Sequence, residues 1–534
     1  MTSYLRFQTK RVDSFFVPNA MTSSLPQLYQ LRDYQIELIQ QVFRHWGVGE
    51  HRVMVQLPTG GGKTIIFCAI ANEFTKKSEP VLVIAHREEL ITQAASKLEA
   101  VAGVAVGIIK AGYKPNPDAL LQVASIQTLI RRQPPPASLV IFDEAHHCHS
   151  RTYATVFKHY AEQGSYILGF TATPMRTDGR GLRWLYSGTP GFESLICGPS
   201  VNQLIAADYL VPFKLYAPGH IIRASGAGLK TTAGDYNKAQ LEKFVKKTLV
   251  VGDVIDTWKK HASGRRTVLF AVSVDHSKEL ANAFLEAGIP AAHLDGDTPM
   301  SKRQDILAEF AIGRVLVLCQ HSIVTEGVDI PLIEAIQFTR PTKSLTVWFQ
   351  AIGRSLRPAP GKTHAIIIDH TDTHINLPWP DNEIPWSLDP ISLKLGPGVL
   401  QCPNCRHVFR PTQSERERNL ATCPACQAKF IFVNKPRDKK GVQELSILEV
   451  LPAEFAEIVV EYNPLKLAVV QQMINIQQEK GYQKGWVYHQ LKDLPELNLS
   501  LSDWQEVARR LDYKPGWAWH KWQEMQERYG LDSA

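Results

Sequence analysis

The chain has 534 residues, enough for about three to four domains that each bury a core. Hydrophobic residues make up 44% of it and charged residues 21%, which is typical of a globular protein rather than a disordered or fibrous one. It contains no run of about 18 apolar residues and no secretory signal, so we expect a cytoplasmic protein with no membrane partner.

The net charge is +7, and most of it lies in one segment. Between Val399 and Lys440 the sequence has nine Lys or Arg against three Asp or Glu. This surplus predicts a polyanionic partner such as nucleic acid. A merely solvated basic face would have the same composition.

Residues 1–28 show no sustained periodicity and are predicted to be a disordered or loosely docked lead. From Leu31 the apolar spacing predicts a helix that begins with Arg32 and Gln35. On an ordinary amphipathic helix Gln35 would face solvent. Beside a nucleotide, its carboxamide can instead pair with the edge of an adenine, so both residues are candidates for nucleotide binding.

The next stretch, VMVQLPTGGGKTII, predicts a strand, a glycine-rich turn and a helix. The glycines let backbone N–H groups approach a phosphate at the positive end of that helix. Lys63 would reach the β- and γ-phosphates, and the Thr64 hydroxyl would ligate Mg²⁺. Leu57 stands where the general pattern has its first glycine, but a flexible connector would not need Lys-Thr after three glycines. The residues predicted to bind nucleotide here are Thr59, Gly60, Gly61, Gly62, Lys63 and Thr64.

Strands then alternate with helices as far as residue 174, which predicts a doubly wound parallel sheet with ligands at the carboxyl ends of its strands. Asp143 and Glu144 follow one of these strands. Asp143 would hold Mg²⁺, and Glu144 would orient and deprotonate an attacking water. His146 would link this site to the Thr171-Ala172-Thr173 turn. A zinc site on the neighbouring histidines is disfavoured, because adjacent ligands cannot surround a tetrahedral ion.

A second alternating series runs from about residue 250 to 375, after a segment, 206–249, that we interpret as a linker or insert. Gln350, Arg354 and Arg357 lie at i, i+4 and i+7 on one helix of this series and share a face. Seen alone, such a stripe is a solvated surface. Facing a nucleotide held by the first sheet, it would neutralise charge that develops during hydrolysis.

Eight blocks in this order resemble the superfamily 2 helicases and translocases of the DEAH type: LRDYQ, PTGGGKT, AHREEL, ASIQT, DEAH, TATP, TEGVDIP and QAIGRSLRP. The match covers residues 30–370. TATPMRTDG, a WSLD stretch and a four-cysteine cluster make the RadD-like branch the most similar one. The resemblance implies an α/β fold with two tandem RecA-like domains, followed by a zinc ribbon and a helical module.

The same resemblance implies an ATP hydrolase that acts on nucleic acid, with DNA in repair or recombination favoured over RNA, and it admits a repair or single-strand-binding protein as a partner. An RNA helicase, the motor subunit of a restriction system and a non-catalytic binding scaffold are the alternatives. It implies that Gly327 and Asp329 lie near the ribose and phosphates. It implies a nucleic-acid track formed by His86, Arg87, Ser125, Gln127, Ser273 and Thr325.

The sequence contains eight cysteines. Two CxxC pairs, Cys402/Cys405 and Cys423/Cys426, are separated by seventeen residues. This spacing is typical of structural Zn²⁺ bound by four thiolates, whereas a redox pair would not need duplication. The basic surface around the cluster would dock nucleic acid or protein. The other four cysteines, Cys68, Cys148, Cys197 and Cys319, are predicted to be reduced, buried thiols.

A short repeat ends the chain: the pattern around Tyr482 and Trp486 recurs at Tyr513 and Trp517. Its aromatics could stack on exposed bases or form the core of a small helical module, and we favour the core, with nucleic-acid contact as an added role. The predicted domains are 29–205 and 250–375 (RecA-like), the linker 206–249, a connector 376–398, a zinc ribbon 399–433 and a helical region 441–534.

Overall fold

The computed structural model forms two compact units, Met1–Gly396 and Pro397–Ala534. It describes residues 30–85, 88–175, 179, 181–232, 234–321, 332–391, 398–418, 420–434, 445–450, 464–483, 485–492, 499, 501–513, 517–518, 520–522 and 524–525. The predicted lead, residues 1–28, lies outside these ranges.

The first unit begins with a seven-stranded parallel sheet. Its strands are β1 (Arg52–Gln56), β2 (Val81–Ala85), β3 (Val106–Ile109), β4 (Leu121–Ser125), β5 (Leu139–Phe142), β6 (Tyr166–Thr171) and β7 (Ser194–Cys197), in the order β3-β4-β2-β5-β6-β1-β7. Its helices are α1 (Asp33–Gly47), α2 (Lys63–Thr75), α3 (Glu88–Ala102), α4 (Ile126–Leu129), α5 (Arg151–Glu162) and α6 (Val201–Ala206). The strands are rich in Val, Ile and Leu because helices cover both faces of the sheet.

A second parallel sheet follows within the same unit. Its strands are β8 (Phe213–Tyr216), β11 (Thr267–Phe270), β12 (Ala291–Leu294), β13 (Val317–Gln320), β14 (Ala335–Phe338) and β15 (Ala365–Asp369), in the order β12-β13-β11-β14-β15-β8. A hairpin of β9 (Thr231–Thr232) and β10 (Asp235–Tyr236) precedes its helices α7 (Lys238–Thr248), α8 (Val251–His261), α9 (Val274–Glu286), α10 (Met300–Ala311), α11 (Leu345–Ser355) and α12 (Thr373–Asn376). The predicted pair of RecA-like α/β domains is confirmed.

The segment 206–249 is not the linker that the sequence suggested. Its strand β8 joins the second sheet, where Phe213 pairs in parallel with Ala365. Asp235, in the hairpin, accepts hydrogen bonds from the Thr342 hydroxyl (2.9 Å) and the Lys343 amide (2.7 Å) just before α11. A four-residue strand is too short to show a periodicity, and its partner lies about 150 residues further along the chain.

Residues 377–391, which we call the strap, belong to the connector predicted over 376–398 and contact both RecA-like domains. The Trp348 indole of α11 donates to the Pro378 carbonyl (3.2 Å). On the side of the first sheet, the Arg183 amide donates to the Leu388 carbonyl (3.0 Å), and the Arg183 guanidinium pairs with Asp389 (2.9 Å). Leu388 is buried in the core of the first sheet. The strap therefore ties the two RecA-like domains together.

The second unit contains a small antiparallel β region and a helical module. Its strands are β16 (Leu400–Gln401), β17 (His407–Phe409), β18 (Leu420–Thr422), β19 (Lys429–Asn434) and β20 (Leu445–Val450), with α13 (Gln413–Arg418) between β17 and β18. The helices α14 (Pro464–Lys480), α15 (Gly485–Leu491) and α16 (Leu501–Arg510) follow. No described helix combines the length and apolar character needed to span a bilayer.

Strand β20 is an exception at the start of the helical region predicted over 441–534, in which α14, α15 and α16 are helices. It pairs antiparallel with β19, so that Leu445 opposes Asn434. Leu445 and Ile447 alternate toward the core of the β region, a period of two that a helix does not have.

Candidate functional site

The glycine loop lies between β1 and α2, as the sequence predicts. Gly60 and Gly62 have φ values of 90° and 85°, a region that side chains with a Cβ rarely adopt. Gly62 is the residue before α2, so Lys63 and Thr64 form the first turn of that helix. A Cβ on Gly62 would lie 2.3 Å from the Gln35 amide nitrogen. The loop thus presents a helix N-terminus at the carboxyl end of β1.

Leu57, the residue that departs from the general phosphate-loop pattern, is fully buried. A Cβ on Gly61 would lie 2.7 Å from the Leu57 Cγ, and one on Gly198 would lie 2.6 Å from its Cδ1. Gly61 and Gly198, which lie on either side of this side chain in space, therefore leave room for Leu57, and Leu57 anchors the start of the loop in the core.

The start of α1 packs directly against the loop. Gln35 is 3% exposed, so it is not the solvent-facing amide of the alternative interpretation. Its Nε2 lies 3.4 Å from the Gly61 carbonyl oxygen, to which the Tyr34 hydroxyl donates at 2.7 Å. The Arg32 guanidinium stacks on the Tyr209 ring at 4.1 Å. Sequence reasoning missed Tyr34 and Tyr209, although Tyr34 lies between the two residues that it singled out.

The carboxylate pair lies beside the loop, at the end of β5. Glu144 adopts a left-handed backbone conformation (φ 50°, ψ 51°), which turns its side chain away from the strand direction. Its two oxygens contact the Lys63 ammonium of the first domain (3.5 Å) and the Gln350 amide of the second (3.0 Å). One carboxylate therefore contacts both RecA-like domains and the loop lysine.

Asp143 lies at the bottom of this site. Burial raises its pKa to about 6, the neighbouring Glu144 carboxylate adds to that effect, and Lys63 opposes it. Its Oδ1 accepts the Glu144 backbone N–H at 3.0 Å. A half-buried carboxylate with a raised pKa costs free energy when charged, and a cation bound to its oxygens would remove that cost.

His146 reaches the turn after β6, as predicted. Its Nδ1 lies 3.1 Å from the Thr171 hydroxyl and 3.5 Å from a Glu144 oxygen. The Thr173 hydroxyl, two residues along that turn, lies 2.8 Å from the Thr346 hydroxyl of α11, and both are buried. A chain of polar contacts thus leads from the carboxylate to the second domain.

Helix α11 approaches the glycine loop closely. A Cβ on Gly353 would lie 2.7 Å from the Thr59 Cβ, and one on Gly60 would lie 3.7 Å from the Arg357 Cγ. Arg354 lies one turn after Gln350 on the same helix. Among the described residues, the Thr59 hydroxyl and the Gln350 Oε1 are buried without a hydrogen-bond partner.

The predicted nucleic-acid track is described only in part. Ser125 is 6% exposed and donates to Gln127 (2.7 Å), which is exposed at the start of α4. The Ser273 hydroxyl caps α9 by accepting the His276 N–H at 3.2 Å. The remaining predicted residues, His86, Arg87, Thr325, Gly327 and Asp329, lie outside the described residues.

In the second unit, the sulfurs of Cys402, Cys405, Cys423 and Cys426 all lie within 4.8 Å of one another. The sulfur pairs Cys402–Cys426 and Cys405–Cys423 are each 3.6 Å apart. Sulfurs around a tetrahedral zinc with Zn–S bonds of 2.3 Å are about 3.8 Å apart, so the spacing fits this ion.

The remaining cysteines follow the prediction with one exception. Cys68, Cys148 and Cys319 are buried, as expected. Cys197 is exposed, because it ends β7, the edge strand of the first sheet.

The aromatic repeat forms part of a helical core. Tyr513 stacks on Trp517 with ring centroids 4.3 Å apart, and Tyr482 lies 5.0 Å from Trp486 in the first copy. Trp486, Tyr513 and Trp517 are partly buried and pack against the fully buried Trp504 and its neighbours. Both copies therefore place tyrosine against tryptophan four residues later, which agrees with the favoured interpretation.

Comparison with known proteins gives the same division of the first unit. Residues 28–176 match the family model of the type III restriction enzyme res subunit, and residues 246–359 match that of the helicase conserved C-terminal domain. A 51.5 kDa protein of a Lactococcus phage is 33% identical over 408 residues, which cover 74% of this chain and 82% of the relative. The chain belongs to the superfamily 2 helicases.

Two yeast proteins are also similar to this chain in sequence. A candidate ATP-dependent helicase of Saccharomyces cerevisiae, IRC3, is 32% identical over 64% of this chain, and a mitochondrial counterpart of Schizosaccharomyces pombe is 30% identical over 64%. The chain spans 51% and 58% of their respective lengths. Among solved structures, the Type ISP restriction-modification enzyme LlaBIII bound to DNA has a TM-score of 0.48 at 19% identity, covering 66% of this chain and 29% of its own.

Proposed function

We propose that this superfamily 2 protein hydrolyses ATP and uses the energy to translocate along DNA. The observation that carries the proposal is the position of Glu144, whose carboxylate contacts Lys63 of the glycine loop and Gln350 of the second domain. A carboxylate held between a phosphate-binding lysine and the opposite domain is suited to hydrolysis that depends on the arrangement of the two domains.

The first domain supplies the binding part of the proposed site. The loop glycines and Lys63 bind the phosphates, and Arg32 and Gln35 contact the adenine. Lys63 is paired with Glu144, so phosphate binding would replace one anionic partner by another. Mg²⁺ held by Thr64 and Asp143 would neutralise charge on the phosphates, and the raised pKa of Asp143 fits a cation at that position.

In the proposed reaction, Glu144 accepts a proton from the attacking water while the water oxygen forms a bond to the γ-phosphorus. The bond from that phosphorus to the β–γ bridging oxygen breaks, which leaves ADP and phosphate. Arg354 and Arg357 stabilise the charge that develops on the phosphoryl group, an effect worth roughly 10³–10⁵ in rate for arginines used in this way. The unpartnered oxygens of Thr59 and Gln350 support a ligand between loop and helix.

DNA is the polymer that we favour, with a role in repair or recombination. In support, one relative bears the name DNA 3'-5' translocase XPB2, from Sulfurisphaera tokodaii, with 24% identity over 62% of this chain. The exposed Gln127 and the residues His86, Arg87, Ser125, Ser273 and Thr325 would line the track, and Gly327 and Asp329 would contact the nucleotide. A motor of a restriction system is the second candidate, favoured by the family model matched over residues 28–176.

We propose that the four-cysteine cluster binds structural Zn²⁺ and orders the β region around it. Cys402 and Cys423 are buried in its small hydrophobic core together with Phe430 and Phe432. Such a core is too small to be stable by itself, and zinc bound by thiolates contributes on the order of 10 kcal/mol to comparable domains.

The decisive experiment measures ATP hydrolysis by the full chain without polymer and with single-stranded DNA, duplex DNA or RNA. We expect stimulation by DNA, and its loss in Lys63→Ala. Greater stimulation by RNA would make the protein an RNA helicase, and no turnover under any condition would make it a scaffold. Glu144→Gln separates binding from chemistry, because it should retain ATP binding and lose turnover.

A further inference from the structure

Lys362 follows the arginine-bearing helix α11 and folds back onto its end. The chain turns at Pro360-Gly361, where Gly361 has a φ of 75° and the Lys362 amide donates to the Ala359 carbonyl at 3.0 Å. Proline followed by a glycine with positive φ is the pattern of a type II turn. This turn reverses the chain direction, so that the Lys362 side chain lies beside the end of α11.

The Lys362 ammonium donates three hydrogen bonds, all to main-chain carbonyls. Its partners are the carbonyl oxygens of Ser355, Arg357 (2.9 Å) and Ile333 (2.7 Å). Ser355 is the last residue of α11, where carbonyls have no partner within the helix and a positive charge is favourable, and Arg357 lies two residues beyond the helix end. All three donors of the ammonium are used.

The third partner connects the helix to a different part of the site. Ile333 is buried and lies two residues before the first residue of β14. In the sequence it lies four residues after Asp329, which is predicted to contact the nucleotide. Lys362 therefore joins the end of the arginine helix to the segment that leads into β14.

We infer that Lys362 is a positioning residue for ATP hydrolysis, which fixes the end of α11 and the start of β14 to each other so that Arg354 and Arg357 meet the nucleotide in one arrangement. This inference rests on the proposed function. Lys362 acts through the main chain that carries the two arginines and touches no reacting group itself.

The charge of Lys362 is essential to this role, since a neutral amine has only two N–H donors for three carbonyls. Burial lowers its pKa to about 8; Arg266, Arg265 and Arg357 act in the same direction, and Glu334 opposes them. The pKa of an unfolded lysine is about 10.4. Lys362 therefore loses its proton as the pH rises through about 8, and the anchoring of α11 weakens over the same interval.

The test compares Lys362→Met with Lys302→Met, an exposed lysine on α10 of the same domain. ATP hydrolysis is measured with single-stranded DNA. We expect Lys362→Met to lower kcat about 10- to 100-fold, because arginines displaced by an ångström lose that much rate. The KM for ATP should change much less, since the first domain provides most binding contacts. A kcat equal to that of Lys302→Met would overturn the inference.

The pH profile of Lys362→Arg gives an independent readout that is decisive even if Lys362→Met does not fold. The guanidinium stays charged throughout the range. The wild-type kcat should fall above about pH 8, whereas that of Lys362→Arg should stay level up to about pH 9. The same decline in both proteins would contradict the inference. A wild-type protein that hydrolyses no ATP would refute the proposed function, whereas an active wild type with an unaffected Lys362→Met refutes the inference alone.

Discussion

The contact between α11 and the glycine loop gives the sharpest prediction. Gly353 has no room for a side chain: its Cβ would lie 2.7 Å from the Thr59 Cβ and 3.3 Å from the Thr59 carbonyl oxygen. Carbon atoms in contact are ordinarily 3.5–4.0 Å apart, so Gly353→Ala must move the helix about 1 Å away from the loop. Arg354 and Arg357 move with it, and a misplacement of that size lowers an enzymatic rate about 100-fold.

The assay is steady-state ATP hydrolysis at saturating DNA, combined with binding of a fluorescent ATP analogue. Gly353→Ala should bind the analogue within a few-fold of the wild type and hydrolyse ATP about 100-fold more slowly. Gly252→Ala is the matched control, because Gly252 lies in the first turn of α8 with nothing within 4 Å of its added Cβ. A folded Gly353→Ala with wild-type kcat would refute the proposed contact between loop and helix.

Three further predictions concern stability and metal content. The pKa of Asp143, raised to about 6, exceeds the unfolded value of about 3.9, so this group costs stability as the pH rises through 6. Asp143→Asn should therefore raise the melting temperature in magnesium-free buffer at pH 7.5 and change it little at pH 4, which calorimetry can check; equal effects at both values would contradict it. Cys405→Ser should lower the amount of zinc bound per chain, measured by atomic emission spectroscopy. A wild-type protein that binds no zinc would refute the proposed zinc site. Gly181→Ala would place a Cβ 1.7 Å from the Leu388 carbonyl oxygen. This substitution should lower the free energy of unfolding by about 1–3 kcal/mol, measured by denaturant titration. An unchanged denaturation midpoint would show that the strap moves away without loss of stability.

The sequence predicts the two parallel sheets well because their central strands are buried and each functional cluster lies at the end of a strand. The run before Asp143 is wholly apolar, the run before the glycine loop has three apolar residues in succession, and the functional polar residues follow the strand ends. Parallel pairing then brings those ends to one edge of the sheet. Glu144 and Lys63 could therefore be placed together from their positions along the chain alone.

Contacts between distant segments were not predictable in the same way. Strand β8, the strap and the Lys362 anchor all depend on partners that are remote in the sequence or consist of main-chain carbonyls. Every residue has a main-chain carbonyl, so a contact with one leaves no pattern in the sequence. The sequence around Lys362 therefore does not distinguish this residue from a solvated lysine. Tyr34 was predictable in principle, since it lies between Asp33 and Gln35 at the start of a helix that faces the loop.

The central claim is that the two RecA-like domains complete one ATP site, with the phosphates held by the first and the transition state stabilised by the second. Arg354→Ala tests it most directly, through ATP affinity and single-turnover hydrolysis measured on the same protein. Arg354→Ala should bind ATP with an affinity within a few-fold of the wild type and hydrolyse it about 10³-fold more slowly. An Arg354→Ala protein that hydrolyses bound ATP at the wild-type rate would show that the second domain takes no part in the chemistry.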